Sequence, residues 1–270
     1  MRKSAQILVA FIRRDLATAR SYRAAYAIEL VAILLSVTLF FYLSRLVDGN
    51  TTFARKYLGH GYFGYVIVGL ALLRVVHTSL SSFATKLRTD QTTGTLEALF
   101  ASPASPSLVI VSSAAFDILR ATLLGIAMVL IAIVVFGMHL GTSWTGAGAL
   151  VLAFPACVSL FAALGVVLAA FTVVFKQTTS LISLLSTGLG LLAGVYFPLK
   201  VFPPTLRDIA NGTPFTWAVE VVRDALLGNH IPPGQLVGLL IAAALLLPVA
   251  LMLFRIALAR ARYEGSLAHY

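Results

Sequence analysis

Six stretches of this chain are apolar for about 20 residues each: roughly 25–46, 62–84, 107–136, 146–175, 179–197 and 235–259. As an α-helix, a run of about 20 residues matches the hydrocarbon thickness of a bilayer. Inside hydrocarbon every backbone N–H and C=O needs a partner within the protein, which leaves helices as the element such runs can form. Composition agrees. Of the 270 residues, 59% are hydrophobic and only 11% charged, against about 25% charged in soluble domains. The mean hydropathy is +0.94. The expected fold class is therefore an all-α polytopic membrane protein with six transmembrane helices. Only Phe175–Thr178 separates the fourth run from the fifth, and the third and fourth are long for one span.

A net charge of +10 and a pI near 10.1 would suggest nucleic acid in a soluble chain. Position argues otherwise. With the N-terminus inside, twelve basic residues fall on cytoplasmic segments, among them Arg13, Arg14, Lys86, Arg88 and Arg255, and six on outer ones. That bias places both termini in the cytoplasm and accounts for most of the basic charge without nucleic acid. Ala5–Ile12 is short and runs into Arg13-Arg14 rather than a small-residue cleavage site, so it does not read as a signal peptide.

Residues 1–23 form a separate unit in this reading. Ala5, Leu8, Val9, Ile12 and Leu16 recur on one helical face, opposite Lys3, Arg13, Arg14 and Arg20. A basic amphipathic helix beside a first span belongs in the membrane interface. The remaining domain, 24–270, carries the six spans. Six of the ten prolines lie between Pro198 and Pro233. The apolar pieces there, Val201–Ile209 and Phe215–Leu227, are too short to span. They read as two outer re-entrant helices before the last span, with Asn211–Pro214 turning the chain between them.

A polar, turn-rich stretch, Thr89–Pro106 ("TDQTTGTLEALFASPASP"), interrupts the apolar pattern between spans two and three. Gly94 allows a tight start. Glu97 sits in the first turn, where it favours the helix dipole. Leu96, Leu99 and Phe100 make a small apolar face, and Ser102-Pro103 ends the helix. A helix of about two turns needs something to pack against. The stretch resembles the cytoplasmic loop of the ABC-2 family of ATP-binding-cassette permeases, in which an acidic residue precedes Gly-Thr-Leu-Glu, apolar residues and a Ser/Thr-Pro pair. Here these are Asp90, Gly94-Thr95-Leu96-Glu97, Ala98-Leu99-Phe100 and Ser102-Pro103. The segment after span five also resembles that family's outer re-entrant element, with Phe197-Pro198, Pro214 and Arg223 at the matching positions. One departure is that Gln91-Thr92-Thr93 is neutral where relatives often carry charge. The resemblance implies a coupling helix at about 90–101 that docks on a separate nucleotide-binding subunit, and an outer gate over about 198–233.

None of the five lysines follows a glycine, so the chain carries no recognisable P-loop. It is expected not to be an enzyme and to hold no cofactor, with ATP and Mg on the partner subunit. Five ionisable residues are expected inside the membrane: Glu29, Arg74, His77, Asp117 and Arg120. Arg74 and Asp117 lie at similar depth and should face each other or share a polar cluster, a clamp between helices or a substrate contact. Aromatic residues end span one (Phe40, Phe41, Tyr42) and begin span two (Tyr57, Tyr62, Phe63, Tyr65), either as an interfacial belt or as a stacking track for sugars. The five histidines and the single Cys157 show no metal spacing, and no Ser-His-Asp pattern is visible.

The resemblance thus implies a permease subunit in a bacterial cytoplasmic membrane. Two copies would pair with each other and with two ATPase subunits to export an amphiphile: a hydrophobic drug, a lipid or a lipid-linked glycan. A polysaccharide exporter of the O-antigen type and an ATP-independent carrier are the alternatives.

Overall fold

Proline marks where half of the helices begin. In the computed structural model, which describes residues 23–48, 61–92, 106–175 and 179–263, the helices are α1 (Arg23–Asp48), α2 (Tyr62–Thr92), α3 (Pro106–Phe136), α4 (Trp144–Phe175), α5 (Thr179–Leu192), α6 (Pro204–Asn211), α7 (Pro214–Leu227) and α8 (Pro233–Tyr263), with a single 3₁₀ turn at Leu199–Val201 before α6. Proline suits a first helical position because its φ is preset and the N–H it lacks would have no helical partner. Glycine closes α3 and α7. Gly137 adopts φ +67° and Gly228 φ +76°. After α3 the Gly137 and Met138 N–H groups return to the carbonyls of Ile133 and Ala132 at 3.1 and 3.0 Å, which satisfies the last turn.

Five helices are long and apolar enough to cross a membrane: α1, α2, α3, α4 and α8. The fifth predicted span behaves differently. Its helix, α5, has only 14 residues, roughly 21 Å at the α-helical rise. It stops at Leu192, five residues before the predicted end, and Gly194, at φ +63°, turns the chain away. The apolar pattern continued through Val195, Tyr196 and Phe197, but hydrophobicity does not report a left-handed turn. The two short helices predicted between Pro198 and Pro233 are present as α6 and α7, separated by Gly212 and Thr213. Residues 1–22 and 93–105 lie outside the described residues, and with them the amphipathic helix and most of the coupling stretch.

Burial identifies the centre of the bundle. In α2, 67% of the apolar window is buried, against 17% for α1 and α8, so α2 is the inner post and α1 and α8 face the surroundings. Small residues let other helices approach its backbone. A Cβ on Gly165 of α4 would run into the Ser79 carbonyl, and one on Gly125 of α3 would lie 3.1 Å from the Ala71 carbonyl. Close approach through Gly is how apolar helices gain contact where no water is expelled. Helix α7 wedges among α2, α4 and α8. Its Ala218, Val219, Val221 and Val222 share one core with Val68, Leu72, Cys157 and Leu239.

Candidate functional site

Two polar features interrupt the apolar bundle. The first lies between α1, α2, α3 and α5, in the half nearer the Arg23 end of α1. There, a cavity of about 740 Å³ is lined by Glu29, Arg74, His77, Asp117 and Arg120, by the hydroxyls of Thr78, Ser81, Ser186 and Thr187, and by Tyr196. All five charged or titratable residues expected at depth therefore meet around one space. Helical geometry brings them there. Arg74, His77, Thr78, Ser81, Ser82 and Thr85 recur at three- and four-residue spacing on one face of α2. Asp117 and Arg120 are one turn apart on α3.

Of the two arrangements expected for Arg74 and Asp117, the structure has the shared cluster and not the direct pair. Arg74 and Asp117 share the cavity but do not pair. Arg74 and Arg120 both bond the carboxylate of Glu29, one to each oxygen. Asp117 instead accepts a hydrogen bond from Ser82 at 2.6 Å and lies 3.6 Å from Lys86 Nζ. The Arg120 guanidinium also stacks on the Tyr26 ring at 4.4 Å. The reason is azimuth. Depth along a helix follows from residue count, but the direction in which α1 presents Glu29 depends on how α1 is rotated against α2 and α3. Ser82 and Tyr26 were not singled out from the sequence, and Lys86 only as a cytoplasmic basic residue. The pair Ser81-Ser82 inside a span was the available signal.

The second feature is a buried arginine at the opposite end of the bundle. Arg223 of α7 is 3% exposed. Its guanidinium carbon lies 3.7 Å from the centroid of the Tyr65 ring on α2, and Nη2 donates to the Gly194 carbonyl at 3.0 Å. Tyr65 donates its hydroxyl to the same carbonyl at 2.6 Å. One carbonyl, that of the buried Gly194 just after α5, thus joins this turn to α2 and α7. Gly69 is part of the fit, since a Cβ there would lie 2.7 Å from Arg223 Nη2 and 2.8 Å from the Val195 carbonyl. Thr216 adds a bond to the Leu192 carbonyl at 3.2 Å.

Of the expected outer-gate residues, only Arg223 sits in this clamp. Phe197 is half exposed beside Tyr196, Pro198 leads into the 3₁₀ turn, and Pro214 opens α7. Tyr65, read as a belt aromatic, belongs to the clamp. Phe41, Phe63 and Phe136 pack on one another with centroids 4.7–6.0 Å apart. Also on α7, burial raises the carboxyl of Glu220 above the ordinary glutamate value, and a hydrogen bond from Gln235 at 3.1 Å partly offsets this. Burial raises Asp224 likewise, against a bond from Asn229.

Asp90 lies in the last turn of α2, so the proposed coupling stretch continues directly from the helix that lines the cavity. Gly94, Thr95, Leu96, Glu97, Leu99 and Phe100 lie outside the described residues. Among the described residues no cluster of His, Cys, Asp and Glu is arranged to hold a metal.

Residues 5–227 match the profile of the family described as ABC-2 type transporter. The chain belongs to that family. Its relatives include the inner membrane transport permease YadH of Escherichia coli K12, 24% identical over 217 residues, which cover 78% of this chain and 81% of that protein. YadH of Shigella flexneri matches over the same extent. The family, with five apolar helices of spanning length, makes this a multi-pass transport permease of the ABC-2 type, a kind that works with a partner ATPase subunit.

Proposed function

We propose that the chain is the transmembrane subunit of an ATP-driven ABC-2 exporter in a bacterial inner membrane, moving an amphiphilic substrate. The observation that carries this reading is α2. It is one uninterrupted helix of 31 residues, roughly 46 Å long. One end carries Asp90, where the coupling stretch begins. Its middle lines the charged cavity, and its other end holds Arg223 through Tyr65. A push at Asp90 is thereby transmitted along a buried rod to the cavity and to the far clamp.

In this reading residues 90–101 dock on a nucleotide-binding subunit that supplies ATP and Mg, a division supported by the fact that none of the five lysines follows a glycine as a P-loop requires. Two copies pair around a central path, α5 with the following turn completes a sixth membrane passage, and α6 and α7 dip into the outer leaflet as the gate. The name carried by YadH supports the inner membrane, and the bias of basic residues supports cytoplasmic termini. The mutual packing of Phe41, Phe63 and Phe136 favours an interfacial anchor over a sugar track, so a drug, lipid or lipid-linked substrate fits better than a bare polysaccharide. The test is co-purification of the tagged chain in mild detergent. A P-loop ATPase should accompany the wild type and be lost with Glu97→Arg and with Gly94→Trp. Absence of any ATPase from the wild-type complex would sink the reading in favour of an ATP-independent carrier.

A further inference from the structure

We infer that the cavity between α1, α2, α3 and α5 binds the phosphate-bearing headgroup of an amphiphile. This rests on the transport reading only in calling the ligand a cargo; the binding itself stands on the geometry.

The first observation is charge. Two cations of the cavity wall, Arg74 and Arg120, share the single carboxylate of Glu29, while the other lining carboxylate, Asp117, is turned to Ser82 and Lys86. Both carboxylates are already engaged, so an incoming group meets cations whose acid partners are shared. The second is donor supply. Each guanidinium has five N–H groups in a fixed fork. Glu29 takes one bond from each arginine, and Arg120 Nε is buried with no hydrogen-bond partner among the described residues. The Arg74 and Arg120 side chains are 30% and 37% exposed, and both line the cavity. A tetrahedral phosphate accepts from two such forks at once, which a neutral hydroxyl or amide cannot do. Thr78, Ser81 and Thr187 add hydroxyls around the same space.

The third observation is position. Glu29, Arg74 and Arg120 lie inside three helices of membrane-spanning length. A residue pattern that merely held the helices would be met by a neutral pair, one arginine to one carboxylate. Two arginines on one carboxylate leave a charge that costs free energy unless something anionic enters. On α1, the helix that carries Glu29, the residues Ile28, Val31 and Leu35 are exposed, an apolar flank on which acyl chains can lie while the headgroup reaches inward. A lipid and a free phosphate share the headgroup chemistry; the apolar flank selects the lipid.

The experiment uses the delipidated full chain in detergent and measures binding by native mass spectrometry and by fluorescence titration. The probes are phosphatidylglycerol, phosphatidic acid, neutral diacylglycerol and inorganic phosphate. Phosphatidylglycerol and phosphatidic acid should bind saturably, at least tenfold tighter than diacylglycerol and than inorganic phosphate. Arg120→Gln should weaken this at least tenfold. Glu29→Gln frees both guanidinium groups and should tighten binding, even though it removes two ion pairs; this second variant separates binding from simple loss of the fold. Equal affinity for diacylglycerol and phosphatidylglycerol overturns the inference, as does weaker lipid binding by Glu29→Gln. Inorganic phosphate binding as tightly as the lipids overturns the amphiphile assignment. None of these readouts involves an ATPase, so a failed co-purification leaves them standing and a failed titration leaves the ATPase partnership standing.

Discussion

The clamp at Gly194 gives the sharpest stability prediction, because one residue, Tyr65, makes two separable contributions. Its ring covers a guanidinium that is 3% exposed, at 3.7 Å from the centroid. A desolvated cation–π contact of this kind stabilises by about 2 kcal/mol. Its hydroxyl donates to Gly194 at 2.6 Å, worth about 1 kcal/mol net. Tyr65→Phe should therefore cost about 1 kcal/mol and Tyr65→Leu about 3 kcal/mol. At roughly 2–4 °C per kcal/mol for a chain of this size, these are drops of roughly 2–4 °C and 6–12 °C. Arg223→Met should cost less than Tyr65→Leu, since it removes the buried charge instead of stranding it. The double variant Tyr65→Leu with Arg223→Met then gives a coupling energy of about 2 kcal/mol. The assay is the thermal unfolding midpoint of the purified protein in one fixed detergent. A coupling within about 0.5 kcal/mol of zero, with Tyr65→Leu no worse than Tyr65→Phe, would refute the idea that the ring face carries the arginine.

Further perturbations follow from the same contacts. Gly165→Leu puts a branched side chain against the Ser79 carbonyl where α2 and α4 cross; it should cost about 3 kcal/mol or more and lower the yield of folded protein seen by size-exclusion chromatography. Gly228→Ala combines φ +76° with a clash on the Gly141 carbonyl, and should lower the midpoint more than Gly148→Ala, where a Cβ meets nothing within 4 Å. Ser82→Ala leaves Asp117 its Lys86 partner and should cost about 1–2 kcal/mol in the same thermal assay. Glu220 has a raised folded-state pKa. Below the ordinary glutamate value both states hold the proton, and stability is unaffected. As pH rises through that value the unfolded chain ionises first, so stability falls until the folded carboxyl has ionised too. Glu220→Gln should thus raise the unfolding midpoint at pH 8 and leave it unchanged at pH 4, measured as paired scans.

Much of this protein was legible in its sequence because the bilayer imposes one dominant rule. Runs of about 20 apolar residues must be helices, and α1, α2, α3, α4 and α8 follow the predicted limits within a few residues, apart from the extra turns that carry α2 to Thr92 and α8 to Tyr263. Proline and glycine are likewise local signals: α6 and α7 fall on the two short pieces read from the sequence, Val201–Ile209 and Phe215–Leu227, although they begin at Pro204 and Pro214. Glu29, Arg74, His77, Asp117 and Arg120 were found by type alone, since a charge in an apolar run costs free energy and needs a reason. What hydropathy could not supply was direction. Glu29 pairs with both arginines, and Asp117 with Ser82 and Lys86, because helix rotation and tilt come from packing at Gly125 and Gly165. The turn at Gly194 was invisible for a related reason. A left-handed glycine looks the same in sequence as one inside a helix, and only the positions of Tyr65, Gly69 and Arg223 around its carbonyl decide that the chain leaves α5 there. Element type was set by local composition and the solvent. Partners were set by side chains distant in sequence, which only the tertiary structure brings into contact.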